Sequence, residues 1–298
     1  MVRGFCPIPS IRSRKYHLNN RPISLFLFLC IIGSSLSQTA REVGRIDLTQ
    51  NIIGPEFQPD RFVKIPNGLI LLDLNRRRVG QWVNDTLLIN GGFGTGNTGL
   101  FDPIDIVSSQ LDLLILDRSN SRISRYDTQL NLIYSISLLI NGKALFPTLM
   151  SLDSRGRNYI YSPDTHEIYR TGSNTDRLRR FIDLNTYPFA ENCVSSMRFG
   201  QNDGIAILFD CANELHLLSR TGKLERRFKI DIEKPNIILP FIQTWLILNR
   251  NGDIQFLEEN PFVLPLKGSV IKDALIDEDF LHVLTEDELI IFDINVYP

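Results

Sequence analysis

Six segments of this chain share one plan. Each has a β-rich run, a turn, a strongly apolar run, a turn rich in Asp, Asn or Gly, and a third run that alternates apolar and polar residues. One apolar residue opens each third run: Val79, Ile123, Ile168, Leu215, Ile254 and Leu289. These residues lie 44, 45, 47, 39 and 35 positions apart. Such a period indicates a repeat architecture, either a helical solenoid or a propeller of four-stranded blades.

The second run of each segment decides between these two architectures. All six are short apolar runs bounded by turn residues, at positions 69–72, 113–116, 159–161, 205–209, 245–248 and 280–284. Continuous apolar runs of this length are typical of strands buried on both faces. After residue 37 no long amphipathic helix with capping residues occurs. The sequence therefore predicts an all-β fold, a six-bladed β-propeller.

The N-terminal part of the repeat region predicts how the ring closes. The last segment ends after its third run, residues 288–294, and so lacks an outermost strand. Residues 43–48 form a strand candidate with no neighbouring partner. We expect this strand to complete the last blade, because joining the two ends removes open sheet edges.

One segment carries a recognisable motif. Gly-x-Gly-x-Gly at 92–96 is followed by Phe-x-Pro at 101–103 and by Asp-Arg-x-Asn-x-Arg-Ile-x-x-Tyr-Asp at 117–127. This stretch resembles the NHL repeat of six-bladed propellers, which have a TolB-like architecture. The resemblance implies a platform that binds ligands or proteins, and only some members of the family are enzymes.

The first 37 residues have the order of a secretory signal peptide. Basic residues, among them Arg14 and Arg21, precede an apolar stretch at 23–32 and small residues near Ser37. We predict a signal peptide at 1–37, a propeller at 38–298, and export to the periplasm or the extracellular space. The alternative is an uncleaved membrane anchor, although the apolar stretch is shorter than the ~20 residues that a spanning helix needs.

Two cysteines test the strand register of the fourth blade. Cys193 precedes the first run of that blade and Cys211 follows its second run. If residues 200–203 form the hairpin turn, the two cysteines face each other across the strand pair. We predict a disulfide, which an oxidising compartment would preserve; two buried free thiols are the alternative.

The turns between second and third runs are predicted to emerge on one face of the propeller. The candidate binding rim consists of Asp117, Asn120, Arg122, Asp164, His166, Asp210, Asn213 and Asn249. Asp and Asn oxygens could bind calcium. The same residue types are explained by local turn hydrogen bonds. We therefore expect no cofactor, with calcium as the alternative.

The net charge bears on the class of partner, and the positions of the histidines bear on whether a zinc site is present. A net charge of −2 gives no general attraction to nucleic acid, and we expect none as a partner. His166, His216 and His282 fall at different positions of the plan, unlike the three-histidine axial zinc site of the amidating lyases that share the NHL fold. We assign no catalytic residue and no metal ligand.

The sequence thus predicts an exported, non-catalytic module that binds or scaffolds a protein or a cell-envelope component. We expect a monomeric propeller that contacts a membrane only if the N-terminal segment stays uncleaved. The alternative is a metal-dependent hydrolase or lyase of the lactonase or amidating-lyase type, with an axial site.

Overall fold

The computed structural model describes residues 40–294 apart from 52–56, 85, 95, 97–98, 110–111, 173–174 and 188–191. The chain divides into two units, Met1–Ser37 and Gln38–Pro298. The predicted signal peptide lies outside the described residues. Within them, no helix is long and apolar enough to cross a membrane. The described residues of Gln38–Pro298 form an all-β fold, and among them lie one short helix, α1 (Leu48–Asn51), and one 3-10 turn, Leu184–Thr186.

Six four-stranded antiparallel sheets form the blades, and strands are numbered along the chain. The first strand is β1 (Arg41–Asp47). Blade 1 comprises β2 (Arg61–Ile65), β3 (Gly68–Asp73), β4 (Arg78–Val83) and β5 (Thr86–Gly91). Blade 2 comprises β6 (Pro103–Ser108), β7 (Asp112–Asp117), β8 (Arg122–Asp127) and β9 (Leu132–Ser137). A two-stranded hairpin, β10 (Leu139–Ile140) and β11 (Lys143–Ala144), follows.

Four further blades complete the ring. Blade 3 comprises β12 (Leu149–Leu152), β13 (Asn158–Ser162), β14 (Glu167–Gly172) and β15 (Thr175–Asp183). Blade 4 comprises β16 (Val194–Phe199), β17 (Ile205–Phe209), β18 (Glu214–Leu218) and β19 (Leu224–Lys229). Blade 5 comprises β20 (Ile237–Phe241), β21 (Thr244–Leu248), β22 (Asp253–Phe256) and β23 (Phe262–Val263). Blade 6 comprises β24 (Asp273–Asp277), β25 (Phe280–Leu284), β26 (Glu288–Asp293) and β1.

The ring closes as the sequence predicts. The inner strands β2, β6, β12, β16, β20 and β24 contact one another in this order, and β24 contacts β2. Strand β1 pairs antiparallel with β26, from Arg41 opposite Asp293 to Asp47 opposite Glu288. The six-bladed propeller and its closure by the N-terminal strand are confirmed.

Six hydrophobic clusters lie between neighbouring blades, one for each pair. Strand β7 shows why its sequence is continuously apolar. Leu113 and Ile115 pack against blade 1, while Leu114 and Leu116 pack against blade 3. Because a strand turns alternate side chains to opposite faces, burial on both faces requires an apolar residue at every position.

The chain path gives each propeller face its own loops. Turns from second to third strands, and loops from an outer strand to the next blade, lie at one end, called here the upper face. Turns from inner to second strands and from third to outer strands lie at the other end, the lower face. A backbone hydrogen bond from Leu138 N–H to the Ser121 carbonyl shows the two kinds of upper-face loop in contact.

The predicted disulfide is present. Cys193 and Cys211 are bonded, with their Cα atoms 6.0 Å apart. Val194 pairs with Phe209, so the cysteines flank the first residue pair of β16 and β17 on the upper face. The bond joins the loop that enters blade 4 to the turn between its second and third strands.

Candidate binding face

The turn of blade 2 between β7 and β8 is organised around one buried carboxylate. Asp117 is fully buried, and its two oxygens accept hydrogen bonds from the backbone N–H groups of Phe101 and Asp102, each at 2.9 Å. The Asn120 side chain donates a further bond at 2.7 Å. Asp117 and Asn120 therefore hold the end of the incoming loop, the loop that leads from β5 to β6, against this turn.

The same turn forms further hydrogen bonds to the incoming loop and to the loop that leads into blade 3. Arg122, whose guanidinium lies 3.7 Å from the Asp117 carboxylate, donates to the carbonyls of Gly96 and Gly99 in the incoming loop. The Ser121 hydroxyl, a single donor, lies within hydrogen-bond distance of the carbonyls of Leu138 and Leu145, which flank the β10–β11 hairpin. One turn thus fixes two neighbouring upper-face loops.

Both loops expose large apolar side chains. Phe93 is 66% exposed and Phe101 is 36% exposed, with their ring centroids 5.0 Å apart. The Arg77 guanidinium lies over the Phe93 ring at 4.9 Å and donates to the Phe101 carbonyl at 2.7 Å. Leu139 and Phe146 are exposed on the second loop. We call Arg77, Phe93 and Phe101 the aromatic patch.

The other predicted rim residues differ in what remains available to a ligand. Asn249 is buried, and its amide oxygen accepts from the backbone N–H groups of Asn251 and Asp253 at 2.9 and 3.0 Å. Asp164 is exposed, whereas Asp210 and Asn213 are half-buried. Among the described residues, no hydrogen bond joins rim residues of different blades to one another, and the binding rim stays a prediction.

His166 is a buried turn residue with an unusual backbone. Its φ is +52°, and its Nδ1 lies 3.0 Å from the Tyr161 hydroxyl. The other ring nitrogen, Nε2, is buried without a hydrogen-bond partner. Burial lowers the pKa of His166 below its ordinary value, although the Asp183 carboxylate opposes this effect. The imidazole is therefore neutral at physiological pH.

The channel contains charged residues that the sequence reasoning missed. Asp273 accepts from the Phe62 N–H at 3.0 Å, and Asp105 accepts from the Met150 N–H at 3.0 Å. Burial raises the pKa of Asp273; Arg61 opposes this, and the Asp105 charge adds to it. Blades 2 and 6 are not neighbours, so Asp105 acts on Asp273 across the channel. Asp105 lies within an otherwise apolar run, so the sequence marks it as unusual without indicating its partner, whereas Asp273 is simply the first residue of β24.

In the part of the chain that the structure describes, side chains of the types that bind metal ions cluster at one place. Cys193, Asp210 and Cys211 place their ligand atoms within 4.8 Å of one another. The two sulfurs are bonded to each other, and a disulfide does not supply thiolate ligands. In the channel, each of the two carboxylates already accepts a backbone hydrogen bond.

Comparisons with known proteins identify the fold. No protein-family model matches the chain, and no curated protein matches it. Virginiamycin B lyase from Staphylococcus aureus, solved as an inactive variant with quinupristin, is similar with a TM-score of 0.60, 14% identity, and 78% of this chain and 79% of that chain covered. This chain is a β-propeller. At this level of identity the likeness concerns the fold alone.

Two protein complexes contain similar propellers. BBS1N in complex with ARL6DN matches with a TM-score of 0.52 and 11% identity, over 86% of this chain and 97% of that chain. YCF48 bound to D1 peptide matches with a TM-score of 0.51 and 9% identity, over 86% and 97%. The fold is thus found in a lyase and in proteins bound to other proteins.

Proposed function

We propose that this chain is an exported, NHL-like propeller that binds a protein or a cell-envelope component through its upper face at blades 1 to 3. The observation that carries the proposal is the aromatic patch. Phe93 and Phe101 expose two tilted rings, with centroids 5.0 Å apart, beside an arginine, on a loop that hydrogen bonds to the buried Asp117 carboxylate hold in place. Aromatic residues and arginine are enriched at the centres of protein interfaces.

The hydrogen bonds that fix the loop beneath the aromatic patch favour binding. Ordering a loop during association costs free energy, and a loop that is already fixed avoids this cost. Asp117 and Arg122 hold the loop that carries both phenylalanines. The predicted rim residues of blade 2 would then act as positioning residues beneath the contact surface.

The neighbouring folds support protein binding as the general class. BBS1N and YCF48 are propellers solved with a protein or peptide partner. The choice of the upper face rests on the aromatic patch.

Site-specific photo-crosslinking tests the proposal. A photoreactive phenylalanine analogue replaces Phe93 in the full chain, expressed in the source cells, and the matched control carries it at Val263, which is equally exposed at 66% on the outer strand of blade 5. We expect one discrete adduct from position 93 that position 263 does not give. Phe101→Ala should reduce its yield at least fivefold.

Two outcomes would contradict the proposal. The first is the same adducts from both positions, which would indicate collisional contact. The second is no adduct from position 93 while the protein is folded and its disulfide is formed.

A metal-dependent activity is the second candidate, and the channel carboxylates favour it. Asp105 and Asp273 could supply two oxygen ligands of the kind that calcium prefers. Calorimetric titration with calcium, comparing the wild type with Asp105→Asn and Asp273→Asn, tests this candidate. Binding that is lost in both variants would support it, and the absence of any binding heat would end it.

Export is proposed on the basis of the N-terminal sequence, with the disulfide as support, since such bonds persist in oxidising compartments. Sequencing the N-terminus of the protein recovered from the source cells tests it. We expect a mature chain that starts near Gln38. A chain that retains residues 23–32 and fractionates with membranes would show an anchor instead.

A further inference from the structure

A cavity lies on the lower face, the face opposite the aromatic patch, between blades 3 and 4. Its volume is about 350 Å³, within the range of ligand pockets. Four arginines line it: Arg155 and Arg157 between β12 and β13, Arg170 on β14, and Arg220 between β18 and β19. We call these four residues the arginine pocket.

The acidic groups nearby do not balance these charges. Arg157 pairs with the buried carboxylate of Asp153. Asp203, which also lines the cavity, accepts a hydrogen bond from the Ser154 N–H at 2.9 Å. Arg155 and Arg220 are exposed and form no ion pair with any described residue. Two carboxylates thus face four guanidinium groups.

Strand pairing places a further arginine beside one of the four that line the cavity. Arg170 on β14 lies directly opposite Arg179 on β15. Like charges at opposed positions of an antiparallel pair destabilise the sheet. An anion between or beside them would offset this cost, so the arrangement is better suited to a ligand than to the unbound fold.

The cavity also has an apolar wall. Phe181 lines it, and the Arg170 guanidinium lies over the Phe181 ring at 5.2 Å. Stacking fixes the direction of the guanidinium plane, and a planar guanidinium can donate two parallel hydrogen bonds to one oxyanion. The cavity therefore presents pre-oriented donors beside a surface on which a ring can rest.

We propose that the arginine pocket binds a tetrahedral oxyanion, either free phosphate or sulfate or the ester group of a small ring-bearing ligand. The anion accepts hydrogen bonds from Arg155 and Arg220, which form no ion pair with any described residue. Arg170 supplies a third guanidinium group at the site. The cavity is larger than a bare anion requires and Phe181 borders it, so the ester form fits it better than the free ion. The site is independent of the upper-face proposal.

Isothermal titration of the mature protein at constant ionic strength, set with sodium chloride, tests the site. The probes are sodium sulfate, sodium phosphate, glucose 6-phosphate and glucose. The test variant is Arg155→Gln with Arg220→Gln. The control is Arg41→Gln with Arg226→Gln, which removes the same charge from surface ion pairs with Asp293 and Glu258.

We expect glucose 6-phosphate to bind more tightly than either inorganic anion, and glucose not to bind. The test variant should weaken binding at least tenfold, because each lost partner is a charge-assisted hydrogen bond. The control should change it less than twofold. If the inorganic anions bind as tightly as the ester, the ligand is the free ion. Arg220→Gln alone, in an exposed turn, serves if the double variant folds poorly.

A gain of affinity gives a second, sharper test. Asp203→Asn removes the carboxylate that repels an anion, while the amide oxygen can still accept the Ser154 hydrogen bond, and Asn tolerates the backbone φ of +57° at this position. We expect glucose 6-phosphate to bind at least threefold more tightly. Three results would each overturn the proposal. They are an equal loss of anion affinity in the test and control variants, an unchanged affinity in Asp203→Asn, and no binding heat with any anion.

Discussion

At the scale of single residues, the polar side chains of the upper-face turns serve the backbone first. Asp117 accepts from two backbone N–H groups of the incoming loop, and Asp73 in blade 1 accepts from the N–H of Gln58 before β2 and from that of Arg76 in its own turn. Both carboxylates are fully buried. A buried donor left without an acceptor costs free energy, so these residues stabilise the fold whatever the upper face binds.

Asp117→Ala tests this role. The substitution leaves the Phe101 and Asp102 N–H groups without their acceptor, and we expect the free energy of unfolding to fall by about 3 kcal/mol. Urea denaturation measures it. The control, Asp164→Ala at the exposed position of the corresponding turn in blade 3, should stay within about 0.5 kcal/mol. Equal losses in the two variants would contradict the role given to Asp117.

His166 makes stability depend on pH. Because burial lowers its pKa in the folded state, the unfolded chain binds the proton more readily. The stability from neutral His166 is therefore present above the ordinary value of 6.5 and is lost as pH falls through the window below it. His166→Asn tolerates the positive φ and cannot titrate.

We expect this variant to lose less stability than the wild type between pH 7 and pH 5. Urea midpoints at half-unit steps of pH measure the difference. His216 and His282 also have pKa values lowered by burial, so the slope should decrease without vanishing. Identical slopes in the two proteins would show that His166 does not contribute.

At the scale of elements, the second strands and the disulfide were predictable because their signals are local. A strand buried on both faces needs an unbroken apolar run, and residues 113–116 show one. Asp105 in the channel was not predicted, since its partner Met150 lies 45 residues away in another blade. The exposure of Phe93 was also beyond the sequence, because a hydrophobic residue near a turn packs inward as readily as outward.

The disulfide should stabilise blade 4 chiefly by restricting the unfolded chain. Cys193 and Cys211 are 18 residues apart. Closing a loop of about this length is worth about 3 kcal/mol in the chain-entropy account. We expect the double variant Cys193→Ser, Cys211→Ser to lose this amount in urea denaturation. The wild type with reductant should match it, and a variant as stable as the oxidised wild type would contradict the estimate.

At the scale of the whole molecule, the ring depends on contacts between its two ends. Strand β1 completes blade 6, and Arg45 binds Glu288 across the pair. At the axis, Asp273 of blade 6 accepts from the Phe62 N–H of blade 1. These contacts join residues more than 200 positions apart, so neither forms until the intervening blades are in place. Closure should therefore be a late and global step of folding.

Removing β1 tests closure directly. A variant that lacks residues 1–47 exposes the backbone edge of β26, and an exposed strand edge pairs readily with other chains. We expect its melting temperature to fall by about 10 °C or more, since each kcal/mol is worth about 2–4 °C in a chain of this size. We also expect it to self-associate in sedimentation velocity. The control lacks only residues 1–37 and should remain a stable monomer.

Complementation separates closure from general damage. A synthetic peptide of residues 40–48 carries the whole of β1 and can pair with the vacant edge of β26, as strand-addition ligands do. We expect the peptide to restore the monomer and raise the melting temperature of the shortened variant. A peptide with the same residues in scrambled order should do neither. If both peptides act alike, or if the shortened variant is already as stable as its control, the ring does not depend on β1 for closure.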